Sequence, residues 1–176
     1  MPIFARTKLI LQEECFDFAG PELVLEYKGV DPQLAYSKIR ECFSTVFGVK
    51  EAERVQEKEY TWNRVGKKET FKVSWHVTKD MDRFSYLYYK IKMSGFAEQT
   101  KNGKEGEVRI EIASFLRTEY PQDNIWERSI FYEIARVFWH KVFYQEKRYE
   151  YQDICRTIAN NFKDEIRSFF NLMPRR

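Results

Sequence analysis

His76 and His140 are the only two histidines among the 176 residues, and they are the first places to look for acid–base chemistry. His76 falls on the outward side of a strand pattern, opposite Tyr86, and His140 lies in an apolar helical run. A catalytic histidine needs an orienting partner and a nucleophile in contact with it, and neither stretch supplies them locally. Surface and packing roles are the expectation for both. Glu13 and Glu14 are adjacent in a strand-like segment, where successive side chains point to opposite faces, so they cannot share a site. Asp80 and Asp82 fall in the turn Lys79-Asp80-Met81-Asp82, where short carboxylates shape the backbone. Lys67-Lys68 and the lysines at 101 and 104 decorate hairpin tips, a common solubility device.

Cys15, Cys42 and Cys155 lie far apart and make no metal spacing; an odd, scattered set predicts reduced thiols in a cytoplasmic protein. There is no glycine-rich phosphate loop, no zinc set and no Gly-x-Ser-x-Gly. The residues point away from an enzyme: no catalytic residue, no metal and no cofactor is expected. Thirty basic against 27 acidic residues leave a net charge of +3, too small by itself to imply a nucleic-acid partner. The opening Met1–Arg6 carries no apolar signal run, and no stretch approaches the roughly 18 uncharged apolar residues of a membrane span.

Among the elements that would position these groups, the stretch from Glu69 to Tyr120 is the most legible. Phe71, Val73, Trp75 and Val77 alternate with Thr70, Lys72, Ser74, His76 and Thr78, the period of a strand with one buried face. Leu87, Tyr89, Ile91 and Met93 form the buried side of the next strand, with Phe84, Tyr86, Tyr88, Lys90 and Lys92 opposite. Asn102-Gly103 is a strong hairpin signal. A third strand follows, with Val108, Ile110, Ile112 and Leu116 inward. A two-residue turn at Asn102-Gly103 predicts Met93 opposite Ile112 and Gly95 opposite Ile110; a three-residue loop at 80–82 predicts Trp75 opposite Leu87. Both registers put the apolar residues on one face, and a slip of one residue would break the agreement.

Around this meander, Lys8 to Phe18 and Leu23 to Lys28 read as strands, and Arg54 to Arg64 as a polar edge strand. Asp31-Pro32 predicts a helix from about Pro32 to Phe47, with the Asp31 carboxylate as its cap. After Pro121, Trp126, Ile130, Ile134, Val137 and Phe138 repeat at helical spacing from a start at Asp123 or Asn124. Phe131, Tyr132, Trp139, Val142 and Phe143 widen that stripe almost all round the helix. A second helical pattern runs from Tyr151 through Cys155, Ile158, Phe162, Ile166 and Phe169, so a break is predicted within Gln145 to Glu150. The expected fold is a single α+β domain over residues 1–176. A curved antiparallel sheet of about six strands packs on a long C-terminal helix, with one earlier helix and a further C-terminal helix. The apolar meander face is expected to meet residues 130–143.

This order of elements resembles the helix-grip superfamily of START-type lipid-transfer and polyketide-cyclase-like proteins. The likeness rests on the strands Phe71–Thr78, Phe84–Met93 and Val108–Leu116 followed by the helix from Asn124, and on no sequence motif. It implies a hydrophobic cavity between sheet and helix.

Two surfaces are therefore candidates, and the leading expectation is a small-molecule binding module with the inner one as its cavity, the outer one being the alternative. The inner one comprises Trp75, Tyr89, Met93, Gly95, Ile110, Ile134 and Phe138, and would hold a hydrophobic, lipid-like or aromatic small molecule. Gly95 would leave room there. The outer one comprises Phe84, Tyr86, Tyr88, Lys90, Phe115 and Arg117, where aromatics beside cations suit a protein partner, a homodimer or single-stranded nucleic acid.

Overall fold

A computed structural model describes residues 8–16, 22–49, 54–100, 103–121 and 130–172. The strands are β1 (Lys8–Glu14), β2 (Glu22–Val30), β3 (Val55–Val65), β4 (Lys68–Asp80), β5 (Ser85–Thr100) and β6 (Gly103–Pro121). The helices are α1 (Ala35–Thr45), α2 (Ile130–Val142) and α3 (Gln145–Leu172), with a short 3-10 turn at Pro32–Leu34 before α1. The six strands make one open antiparallel sheet in the order β1-β6-β5-β4-β3, with β2 also on β6. β1 runs beside Phe115–Pro121 and β2 beside Glu105–Ala113, both antiparallel to β6. They therefore lie end to end as one edge strand, interrupted between Glu14 and Glu22. β3 forms the opposite edge, and its outward charges keep that edge polar, as its composition predicts.

Alternation puts Phe71, Val73, Trp75, Val77, Leu87, Tyr89, Ile91, Met93, Val108, Ile110, Ile112 and Leu116 on one buried face, as expected. The pairings differ from those counted from the turns. Trp75 faces Ile91, Met93 faces Ile110 and Gly95 faces Val108. His76 accordingly faces Lys90 rather than Tyr86. In the first hairpin the cause is a longer turn: Asp82 Oδ1 accepts the amides of Phe84 and Ser85, and the Ser85 carbonyl accepts those of Met81 and Asp82. In the second hairpin Thr100 pairs with Gly103, where the two-residue turn predicts Lys101 opposite Lys104, and residues 101–102 lie outside the described residues. Both slips are even, so every side chain keeps its face.

The helix covering this face is α3, which corrects the expectation for residues 130–143. Tyr151, Cys155, Ile158, Ala159, Phe162, Ile166 and Phe170 form one narrow stripe that is buried against the sheet and α1. The Phe162 ring packs tilted against Phe47 at 5.5 Å, and Phe47 lies 4.8 Å from Tyr89. α3 also satisfies polar groups that α2 could not. Glu13 faces inward from β1 and takes hydrogen bonds from Arg148 and Gln152. Cys155 is joined to Cys15 by a disulfide. This corrects the expected reduced thiols: a separation of 140 residues hid a pair that the sheet and α3 bring together. Cys42 is the free, buried cysteine, its thiol pushed up to about 12 mainly by burial.

The helical break falls at Phe143–Tyr144, just before the predicted interval. Tyr144 leaves the helix because its hydroxyl bonds Ser85 at 2.7 Å and Asp82 at 2.7 Å. Asp31 does not cap the first helix with its carboxylate: its φ is +49°, no side-chain cap bond forms, and its amide bonds the Lys104 carbonyl. The predicted caps at Asp123 and Asn124, Trp126 and the end of the first predicted strand lie outside the described residues. Among the described residues, no helix is long and apolar enough to cross a membrane.

Candidate functional site

The predicted inner set is divided. Trp75, Tyr89, Met93 and Ile110 lie together in the core, each at most 1% exposed. Trp75 donates its indole N–H to Glu57 at 3.0 Å and packs against Tyr36 and Phe43. Tyr89 sits under Phe47, its hydroxyl 3.4 Å from the Cys155 carbonyl, and burial pushes that hydroxyl far above its usual pKa. The space beside Gly95 is occupied: a Cβ there would collide with the Glu107 carbonyl and the Phe71 ring. Ile134 and Phe138 are elsewhere, exposed on α2.

The predicted outer set is brought together. Tyr86, Tyr88 and Lys90 point outward from β5, and Phe115 and Arg117 point outward from β6, as alternate positions on paired strands must. Tyr88 pairs with Phe115, and their rings lie 6.3 Å apart. The Arg117 guanidinium stacks on Tyr88 at 3.7 Å and donates to Gln12 at 2.9 Å. Tyr86 donates its hydroxyl to Glu119 at 2.8 Å. Phe84 sits in the turn before β5, with its ring stacked on Tyr120. A groove of about 540 Å³ runs across this end of the sheet, lined in part by Arg54, Lys58, His76, Tyr86, Tyr88 and Arg117.

His76 is the centre of the electrostatics. Its ring meets Tyr88 edge-on at 5.3 Å. Burial, followed by the charges of Lys58, Lys90 and Arg117, holds the imidazole below its ordinary value, which favours its neutral form. Other cations on the face are matched: Lys72 by Glu59, Lys92 by Glu111, Arg54 by Asp80. Lys58, Lys90 and Arg117 make no ion pair with a carboxylate among the described residues. The arrangement is a cationic patch set into aromatic surface, suited to anions and to planar rings.

Lys58 was not legible as part of this set. It lies at a bulge between Glu57 and Glu59, which shifts the register that would have revealed its face. The neighbouring Asp82 is not an acid–base group in waiting. Burial pushes its carboxyl up, but bonds from Tyr144, the amides of Phe84 and Ser85, and Tyr151 outweigh that and hold it below its usual value. Its work is to fasten the β4–β5 turn to the α2–α3 corner. Among the described residues no group of histidines, cysteines and carboxylates is placed to hold a metal ion. No protein-family model matches the chain, and no curated protein matches it.

Proposed function

We propose that this chain is a binding module whose working surface is the outer face of the sheet, and that its partner is single-stranded nucleic acid. The observation that carries the reading is the gathering of Lys58, His76, Tyr88 and Arg117 along one groove, with Lys90 opposite His76 on the neighbouring strand. Lys58, Lys90 and Arg117 make no ion pair among the described residues, although Asp80, Asp82 and Glu119 line the same groove, and cations so placed repel one another and are relieved by an anion. Rings on the same surface offer stacking to bases of any sequence. From Phe84 to Lys92 the strip extends about 26 Å at roughly 3.3 Å per residue, longer than a single nucleotide needs. The groove carries Arg54, Lys58, Arg83 and Arg117 against Asp80, Asp82 and Glu119, a small local excess of the same sign as the net charge.

The architecture also supports kinship with the helix-grip superfamily, whose ligands lie between sheet and C-terminal helix. A hydrophobic small molecule bound that way here would have to take the place of Phe47 and Phe162, which lie between Tyr89 and α3. The outer face requires no such displacement. A cytoplasmic location is compatible with the Cys15–Cys155 bond where cells keep intracellular disulfides, as hyperthermophiles do.

The test is fluorescence anisotropy with a labelled single-stranded RNA of about 12 nucleotides. Three released counterions predict a slope of about −2 in log affinity against log salt. Lys58→Ala with Lys90→Ala should weaken binding at least tenfold, and Tyr88→Ala by a similar factor at roughly 1–3 kcal/mol per stacked base. Absence of binding at about 50 mM salt, or binding indifferent to these changes, would refute the proposal.

A further inference from the structure

Helix α2 (Ile130–Val142) presents its apolar side chains to solvent. Phe131 is 80% exposed, Ile134 63% and Phe143 60%, and Val137, Phe138, Trp139 and Val142 are each about half exposed. The Arg136 guanidinium of the helix lies 5.4 Å from the Tyr120 ring, and the corner after the helix is held by the Tyr144 hydroxyl on Ser85. Isolated exposed apolar residues are ordinary, but seven on one helix and its end form a continuous patch of the kind that marks an interface.

We infer that this face pairs with the same face of a second copy, making the protein a symmetric dimer through α2. Three observations choose this occupant. The first is area: aromatic side chains offer 150–250 Å² each and the aliphatic ones less. At these exposures the patch covers on the order of 800 Å², and a stable interface takes about that much from each partner.

The second is shape. Trp139, Phe143 and Phe138 make an aromatic ridge, with ring centroids 5.2 Å and 5.9 Å apart along it. Beside it lies an apolar hollow of about 450 Å³ lined by Ile134, Val137, Phe138, Lys141 and Val142. A ridge and a hollow side by side on one element are complementary to themselves under a two-fold rotation, as an isologous contact requires. Lys141 at the margin can keep its ammonium in water while its stem packs.

The third is charge. A helix that lies on an anionic bilayer carries an excess of Lys and Arg beside its apolar face. Among the described residues of α2, Lys141 is the one exposed cation beside the patch, since Arg136 lies over the Tyr120 ring.

Analytical ultracentrifugation of the whole chain at micromolar concentrations tests this. The expected mass is twice 21.4 kDa, and Phe138→Asp with Val142→Asp should return a monomer with unchanged circular dichroism. Both residues are exposed in the single chain, so loss of the dimer with retained folding isolates the interface. As a second variant, Phe138→Cys should give an interchain disulfide on mild oxidation of the purified protein. A wild-type monomer throughout the concentration range overturns the inference, as does a dimer that survives the double substitution. Co-sedimentation of a monomer with phosphatidylcholine vesicles overturns it in favour of a lipid surface.

Discussion

Reducing the Cys15–Cys155 bond should cost this protein more stability than any other single change. The bond closes a loop of 140 residues, joining the end of β1 to the middle of α3. Restricting the unfolded chain by a loop of that length is worth about 5 kcal/mol on the chain-entropy relation, at the upper end of the 0–5 kcal/mol range for single disulfides. Native geometry should survive reduction, because neighbouring contacts hold the same elements. The Cys15 amide bonds the Ser114 carbonyl at 3.0 Å, and Arg148 and Gln152 bind Glu13. The effect therefore belongs to the unfolded state. With a urea dependence of about 2 kcal/mol per molar, the unfolding midpoint should fall by about 2.5 M on adding reductant, and the Cys15→Ser, Cys155→Ser protein should match it. Thiol titration provides the control. The untreated protein should react at one cysteine, Cys42, and only after unfolding, whereas the reduced protein should react at three. A midpoint unmoved by reductant, or three reactive thiols in the untreated protein, would refute the reasoning.

Other expectations follow from the exchange of roles between α2 and α3. Phe162→Ala should destabilise the fold by about 3–5 kcal/mol in urea titration, because it empties the centre of the core. Phe138→Ala, at low concentrations where only the single chain is present, should change stability by about 0.5 kcal/mol or less. Nucleic-acid affinity should depend on pH through His76. Its folded value lies below that of the unfolded chain, so His76 by itself lowers stability as pH falls through its ordinary 6.5 and contributes nothing above. A bound anion offsets Lys58, Lys90 and Arg117 and raises that value, so binding takes up a proton. Affinity should rise roughly threefold to tenfold as pH falls from about 7.5 to about 5.5, and His76→Gln should flatten the rise in anisotropy titrations.

The sheet could be read from the sequence because alternation is local. Phe71 to Val77, Leu87 to Met93 and Val108 to Ile112 declare their faces without reference to anything distant. The same parity makes alternation blind to turn length: slips of two and four residues leave every face unchanged. The outer aromatic and basic set was legible for the same reason, since Tyr86, Tyr88, Lys90, Phe115 and Arg117 follow from parity alone.

The choice of covering helix was not legible. The 130–143 run is the more apolar, and apolar content suggested burial. What places α3 on the sheet is the fit of a narrow stripe together with polar anchors on distant elements: Glu13 for Arg148, Cys15 for Cys155, Asp82 for Tyr144 and Tyr151. None of these pairs has a spacing signature. Lys58 was hidden by a bulge, and the cationic cluster around His76 by a composition that balances to +3.

The claim that the outer face of the sheet is the working surface is tested most directly by titrating isotopically labelled protein with a short single-stranded RNA and following amide resonances. The expected shifts are concentrated at Lys58, His76, Tyr86, Tyr88, Lys90, Phe115 and Arg117, with Trp75, Tyr89 and Phe162 undisturbed. Shifts centred on those three core residues, or no shifts at all, would contradict it.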